Sequence, residues 1–196
     1  MPRLIDHSER RQELARATWR LILREGVSAV SVRTVAAEAG VSAGSLRHVL
    51  PTKAELLGSA MELAIERATA RFLDHERRVG SVPGAVRWLS ELLPLDDERR
   101  AELSIQLALV AEAGGHPRLR ELREAAYDGV GTACLSVLTF LAEAGLVDPS
   151  RSLPAEAVRL QVLLDGLALG LIHRGGVSPT RARRLLTDHL ASLAAG

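Results

Sequence analysis

An all-α fold is what this chain predicts, and three observations carry that expectation. Apolar residues recur at three- and four-residue spacing through almost its whole length, while the alternation of a half-buried strand is nearly absent. Hydrophobic residues make up 47% of the 196 but aromatics only 3%, so the apolar content rests on Ala, Leu and Val, which suit helices packed through aliphatic ridges. Serine, glycine and proline stand where helices start and stop. A chain of this length buries enough surface for a core without help from metals or disulfides.

Each helix follows from its own signals. Over residues 8–25, Leu14, Ala17 and Leu21, with Thr18 and Ile22, fall on one face, and Gly26 ends the helix. Ser31 caps a second helix to residue 38; Ala39 and Gly40 form a tight break; Ser42 caps a third that ends near Leu50, before Pro51. Thr52 opens the fourth with the capping box TKAE, and the helix runs to about Val79. SVPG then leads into a helix to residue 93, PLDDE into one over 96–113, GGHP into one over 117–144, and GLVDPSRSLP into one over 154–173. GGVSP opens the last, over 179–194, with Pro179 at its first position after Ser178. Nine helices are expected, with a soft domain boundary near residue 53: 1–53 as one domain, 54–196 as the other.

Charge divides at the same place. Residues 1–53 hold nine Lys and Arg against five Asp and Glu, and the remainder sixteen against nineteen, so a modestly basic head joins a mildly acidic body. That balance points to a polyanion meeting the head alone. The single cysteine, Cys134, has no partner for a disulfide and no zinc-binding spacing, which makes a reducing cytoplasm the expected compartment. MPRLIDHSERRQ has no apolar run after its charges, so no signal peptide is expected. No membrane partner is expected either: the nearest approach to the roughly 18 apolar residues of a span is VLLDGLALGLI, broken by Asp165.

Two short helices joined by a turn at Gly40 have the dimensions of a helix-turn-helix, in which the second helix enters the major groove. Val32, Val35, Ala36, Ala39, Val41 and Leu46 can face inward, leaving Ala43, Gly44, Ser45, Arg47 and His48 outward. Small residues at the start of that third helix allow its backbone close to a phosphate or a base edge.

The stretch SVRTVAAEAGVSAGSLRHVLPTKAELL, with Leu14, Ala17, Leu21 and Gly26 upstream, resembles the DNA-binding head of the tetracycline-repressor (TetR) family. The resemblance implies base-edge contact from Arg47, close groove approach by Ala43 and Gly44, and phosphate contacts from Ser45, His48, Arg33, Thr34 and Lys53, the only lysine in the chain. Three positions depart from the family's usual residues besides Arg47: Ala43, Val49 and Leu50 stand where Lys, His and Phe are common. The electrostatic part of DNA binding is correspondingly weaker, and the target sequence stays open.

The same resemblance implies a C-terminal helical domain that binds a small-molecule effector and forms a homodimer through its last two helices, on a palindromic double-stranded operator. Candidate interface residues are Leu160, Leu163, Leu164, Leu167 and Leu171 in the eighth helix and Leu185, Leu186 and Leu190 in the ninth, which form wide apolar surfaces. The body is also similar to the betaine-regulator subgroup over LLPLDDERRAELSIQLALVAEAGGHPRLRELREAAYDG. Candidate ligand-binding residues are Trp88, Gln106, Leu109, Tyr127, Val130, Cys134 and Phe140, bulky or polar side chains on otherwise aliphatic faces, with core packing as the competing explanation for each. Gly129 and Gly131 suggest a kink or a close approach in the seventh helix.

No catalytic motif is present: no G-x-S-x-G, no H-E-x-x-H, no phosphate-binding glycine loop, and no histidine spacing for a metal. The expectation is a non-enzymatic, ligand-responsive regulator without metal or cofactor, a repressor released from its operator by the effector. The alternative is a helical protein that binds a partner or small molecule without sequence-specific DNA recognition.

Overall fold

The computed structural model describes residues 7–75, 80–112 and 116–194. Nine α-helices stand among them: α1 (His7–Glu25), α2 (Val32–Glu38), α3 (Ala43–Arg47), α4 (Lys53–His75), α5 (Val82–Ser90), α6 (Asp97–Glu112), α7 (Pro117–Glu143), α8 (Leu153–Ile172) and α9 (Pro179–Ala191). One 3-10 turn, Val27–Ala29, follows α1, and the described residues contain no strand. The all-α expectation therefore holds helix by helix. The expected ends of the fourth and sixth helices, Val79 and Ala113, lie outside the described residues.

Side-chain caps set the starts. Ser31 accepts from Thr34 N at 3.1 Å while Thr34 Oγ1 accepts from Ser31 N at 3.0 Å, a reciprocal pair that opens α2. Ser42 takes Ser45 N at 3.1 Å, Ser81 takes Gly84 N at 3.2 Å, and Ser178 takes Arg181 N at 3.3 Å. At α4 the expected capping box is formed: Glu55 N donates to Thr52 Oγ1 at 3.2 Å and Thr52 N to Glu55 Oε2 at 3.1 Å. α3 is shorter than expected. Val49 N and Leu50 N both turn back to Leu46 O at 2.9 Å, closing the helix ahead of Pro51, which disfavours helical geometry in the residue before it. Gly40 holds φ +66° in the turn between α2 and α3, a conformation that costs a side-chain-bearing residue roughly 1–2 kcal/mol.

The chain forms two compact units, Met1–Arg67 with Ala101–Ala125, and Ala68–Arg100 with Ala126–Gly196. The first extends well past residue 53. In it, α1 buries Leu14, Ala17, Leu21 and Ile22, and the hydroxyl of buried Thr18 donates to Leu14 O at 2.8 Å. Val30, Val35, Ala36, Leu46 and Leu50 are buried as well. Trp19 is buried beneath the Arg67 guanidinium, 4.9 Å from the ring centroid, which braces α1 on α4. Gly58 of α4 lies so close to α7 that a Cβ there would sit 2.9 Å from Leu119 Cδ2.

The second unit gathers both phenylalanines of the chain around Trp88. Phe72 stacks on it at 4.2 Å, Phe140 tilts against it at 5.7 Å, and its indole N–H donates to Phe72 O at 2.6 Å. Leu89, Leu93, Cys134, Val137, Leu138, Leu141, Leu160, Leu164, Leu167, Ala182, Leu186 and Leu190 complete this core. α7 comes closer to a membrane span than VLLDGLALGLI does, correcting the sequence reading: it is long and apolar enough by composition, with mean hydropathy 1.4 over 18 residues. Its Cys134, Val137, Leu138 and Leu141 are spent on the core. Gly131 marks a close approach: Gln161 of α8 fills the notch, its Oε1 2.9 Å from where a Cβ would stand and its Nε2 donating to Tyr127 O at 3.0 Å. Nothing packs on Gly129, and α7 runs unbroken through both glycines.

Candidate nucleic-acid interface

The α2–turn–α3 segment is built as the sequence indicates. Val35, Ala36 and Leu46 are buried, with Val32, Ala39 and Val41 partly so. On the other side, Gly44, Ser45, Arg47 and His48 are exposed and Ala43 is half-buried. Gly44 is not required by the interior: a Cβ there would meet only Ser42 Oγ, at an ordinary 3.8 Å. On the outward face, a helix start with short side chains can admit a phosphate or a base edge.

The electrostatics sort the arginines of the head. Arg10 pairs with Glu13 at 2.9 Å and Arg11 with Glu62 at 3.5 Å, while Arg20 and Arg24 both hold Glu38 at 2.9 Å. Arg33, Arg47 and Lys53 are exposed and form no ion pair among the described residues, and Arg16 on α1 shares that state. Arg33, Arg47 and Lys53 are thus solvated charges whose donors are free among the described residues, a state suited to contact with a polyanion. Thr34 differs. Its hydroxyl donates to Ala29 O at 2.7 Å and accepts from Ser31 N, so its polar capacity is used inside the turn and it supports α2 instead of offering a phosphate contact. Ser45 gives its backbone N–H to Ser42 Oγ and keeps its own hydroxyl in solvent. Sequence reading missed the Glu38 clamp; a glutamate at the end of α2, with two arginines one turn apart on α1, was its only signal.

Comparison with known proteins decides the family. The family model for bacterial regulatory proteins of the tetR family matches residues 14–60, and that for the C-terminal region of BetI-type transcriptional repressors matches residues 85–195. The HTH-type transcriptional regulator PksA of Bacillus subtilis (strain 168) is 34% identical over 98% of this chain and 94% of its own length. The chain belongs to the TetR family of transcriptional regulators. Solved TetR-like structures agree. A transcriptional regulator from Saccharomonospora viridis, in complex with choline, is 27% identical, with a TM-score of 0.79 over 92% of this chain and 95% of that one. The multidrug binding protein EbrR, complexed with imidazole, is 30% identical, with a TM-score of 0.69 over 96% and 93%. A TetR-family transcriptional regulator is not an enzyme.

In this TetR-family chain the expected ligand residues fall in different places. Trp88 and Cys134 are buried in the core of the second unit, with Val130 and Phe140 packed on it. Gln106 and Leu109 belong to the first unit, Leu109 buried and Gln106 half-buried. Tyr127 is 52% exposed. Burial, and secondarily the charge of Asp165, pushes the Cys134 thiol up to about 12, leaving it an inert core group. Asp165 is itself exposed on α8, its carboxyl raised by partial burial.

The expected interface leucines also divide. Leu160, Leu164, Leu167, Leu186 and Leu190 fill the chain's own core, while Leu163 and Leu171 are half-buried and Leu185 is exposed. The accessible apolar surface of α8 is a different stripe: Val158 at 60% exposure, Val162 at 62%, and Leu169 and Ile172 at 42% each. Four apolar side chains at helical spacing on the solvent side are costly to leave uncovered.

Proposed function

We propose that this TetR-family regulator is a ligand-responsive repressor that binds a palindromic operator as a homodimer and is released when a small-molecule effector occupies its body. The observation that carries the reading is the outward face of α2 and α3, where Arg33, Arg47 and Lys53 stand exposed and free of ion pairs among the described residues beside the short side chains of Ala43 and Gly44. Arg47 reads a base edge, and Ser45, His48, Arg33 and Lys53 hold the phosphates. Residues 1–53 form the DNA-reading part and 54–196 the effector-binding and dimerising part.

Two related structures that hold small molecules, choline in one and imidazole in the other, support an effector site in the body. Trp88, Val130, Cys134 and Phe140 line or back that site, with Tyr127 as a further candidate. The dimer forms on the accessible faces of α8 and α9, through Leu163, Leu171 and Leu185 together with the exposed stripe of α8. Two recognition helices related by a two-fold then match half-sites about one DNA turn apart. An effector that prefers the conformation with wrongly spaced heads shifts the population off DNA. The protein acts in the cytoplasm.

A mobility-shift titration on the DNA flanking its own gene tests the reading, run at moderate salt with choline, imidazole and a wider panel of small molecules. A saturable complex on that duplex, outcompeted poorly by random DNA and dissolved by at least one compound, is the expected result. Transcription from the same promoter then falls on adding the protein and recovers with that compound; a rise on adding protein overturns the repressor assignment.

A further inference from the structure

Glu38 closes α2 just ahead of the turn into α3, and two arginines of α1 grip it. Arg20 Nε donates to Oε1 at 2.9 Å and Arg24 Nη2 to Oε2 at 2.9 Å, one guanidinium on each oxygen. The Glu38 side chain is only 16% exposed, while the two arginines stand 53% and 55% in solvent. Arg24 is held a second time, by Glu25 at 3.0 Å. One anion therefore occupies two surface cations of the unit that meets DNA.

A surface arginine on such a unit adds affinity for any duplex, because phosphate contacts carry no sequence information. A guanidinium whose donors are taken by a carboxylate must break that pair before it reaches a phosphate, and the carboxylate itself repels the phosphate. We propose that Glu38 is a specificity-setting positioning residue: it withholds Arg20 and Arg24 from the DNA backbone, so that sequence-independent binding rests on unpaired cations such as Arg33 and Lys53. The effect is larger on random DNA than on the operator. On the operator, base contacts fix the head in one pose, whereas on random DNA the head adopts whichever pose brings most cations to phosphates. The inference rests on the DNA-binding reading above.

The test uses the full chain in anisotropy titrations on a random duplex and on the duplex flanking its own gene, across a range of salt, with thermal unfolding of each variant alongside. Glu38→Gln keeps the shape and removes the charge. It is expected to tighten random-duplex binding about fivefold near 0.1 M salt and to steepen the slope of log affinity against log salt by about one to two per head. The preference for the gene's own duplex falls with it. The triple variant Glu38→Gln, Arg20→Gln, Arg24→Gln returns both quantities to those of the unaltered chain. Arg20→Gln alone, which leaves the Arg24–Glu38 pair in place, keeps the slope unchanged; a loss of about one shows that Arg20 already contacts phosphate and overturns the proposal. So does a Glu38→Gln variant whose random-duplex affinity is unchanged or lower, since that makes Glu38 a mere staple. If the unaltered chain binds neither duplex, the DNA-binding reading fails first and this inference falls with it.

Discussion

Arg47 and Lys53 carry the same charge in different settings, and the proposed function gives them different work. Arg47 ends α3 on the outward face, where a planar fork of donors can meet a guanine edge bidentately, whereas Lys53 opens α4 beside its capping box as a point charge near a helix start. Arg47→Ala is expected to cost about 1–3 kcal/mol of discrimination at one operator position and to relax preference there. Lys53→Ala is expected to weaken binding on every duplex alike and to flatten the salt slope by about one. Titrations on the operator, on single-base variants and on random DNA separate the two patterns. Cys134 gives a second residue-scale outcome. With its thiol pushed up to about 12, it should resist alkylation by iodoacetamide at pH 8 in the folded chain and react fully in denaturant. The outward placement of Arg47 and Lys53 was legible in sequence, because charge, size and helix position suffice for it. Thr34 was not, because the acceptor that captures its hydroxyl, Ala29 O, is brought there by a 3-10 turn with no pattern of its own.

Helix starts were the most readable elements, since each is written in a residue or two. Ser31, Ser42, Thr52, Ser81 and Ser178 all accept from the backbone of the first turn. Thr52→Ala removes the acceptor for Glu55 N and is expected to cost about 1 kcal/mol. For a chain of this size that lowers the unfolding midpoint by about 2–4 °C, read by far-UV circular dichroism. Glu55→Gln, which keeps an acceptor for Thr52 N, should cost less. Helix faces were readable only where they differ. α1 has one apolar and one charged side, and spacing alone found Leu14, Ala17, Thr18, Leu21 and Ile22 of its buried set but not Ala15 or Trp19. α8 is apolar on both sides, so its leucines gave no sign of which side faces the core. The structure turns Leu160, Leu164 and Leu167 inward and leaves Val158 and Val162 in water. Gln161 was invisible for a related reason: it looks like a surface residue, yet it is buried in the notch left by Gly131 on another helix. A pairing between distant helices has no local signature.

At the scale of the molecule, two further outcomes follow from how α8 and α9 are loaded. Buried Glu156 of α8 takes Arg159 at 2.7 Å and Arg151 at 3.1 Å, and His189 of α9 lies in the field of the same three charges, its Nε2 buried without a hydrogen-bond partner among the described residues. Burial foremost holds the His189 imidazole below its usual 6.5; Glu156 opposes the shift and Arg151 and Arg159 add to it. The unfolded chain therefore binds the proton more readily, so stability is fully present above about pH 6.5 and declines as pH falls through that value toward the depressed one. The unfolding midpoint should drop between pH 7.5 and pH 5.5, and His189→Asn should reduce that drop. The second outcome concerns assembly. A substitution on the outer stripe of α8 and one on its inner face should separate association from folding, because the two sets of side chains are covered by different things. Val162→Asp places a charge where the partner chain is proposed to pack; light scattering should find a monomer, with an unfolding transition still cooperative and operator affinity lost, since two heads no longer bind together. Leu164→Ala empties part of the chain's own core and should cost about 2–5 kcal/mol of stability. A Val162→Asp chain that still sediments as a dimer places the interface elsewhere. An unaltered chain that is monomeric at the concentrations used for DNA binding removes the palindromic operator from the mechanism.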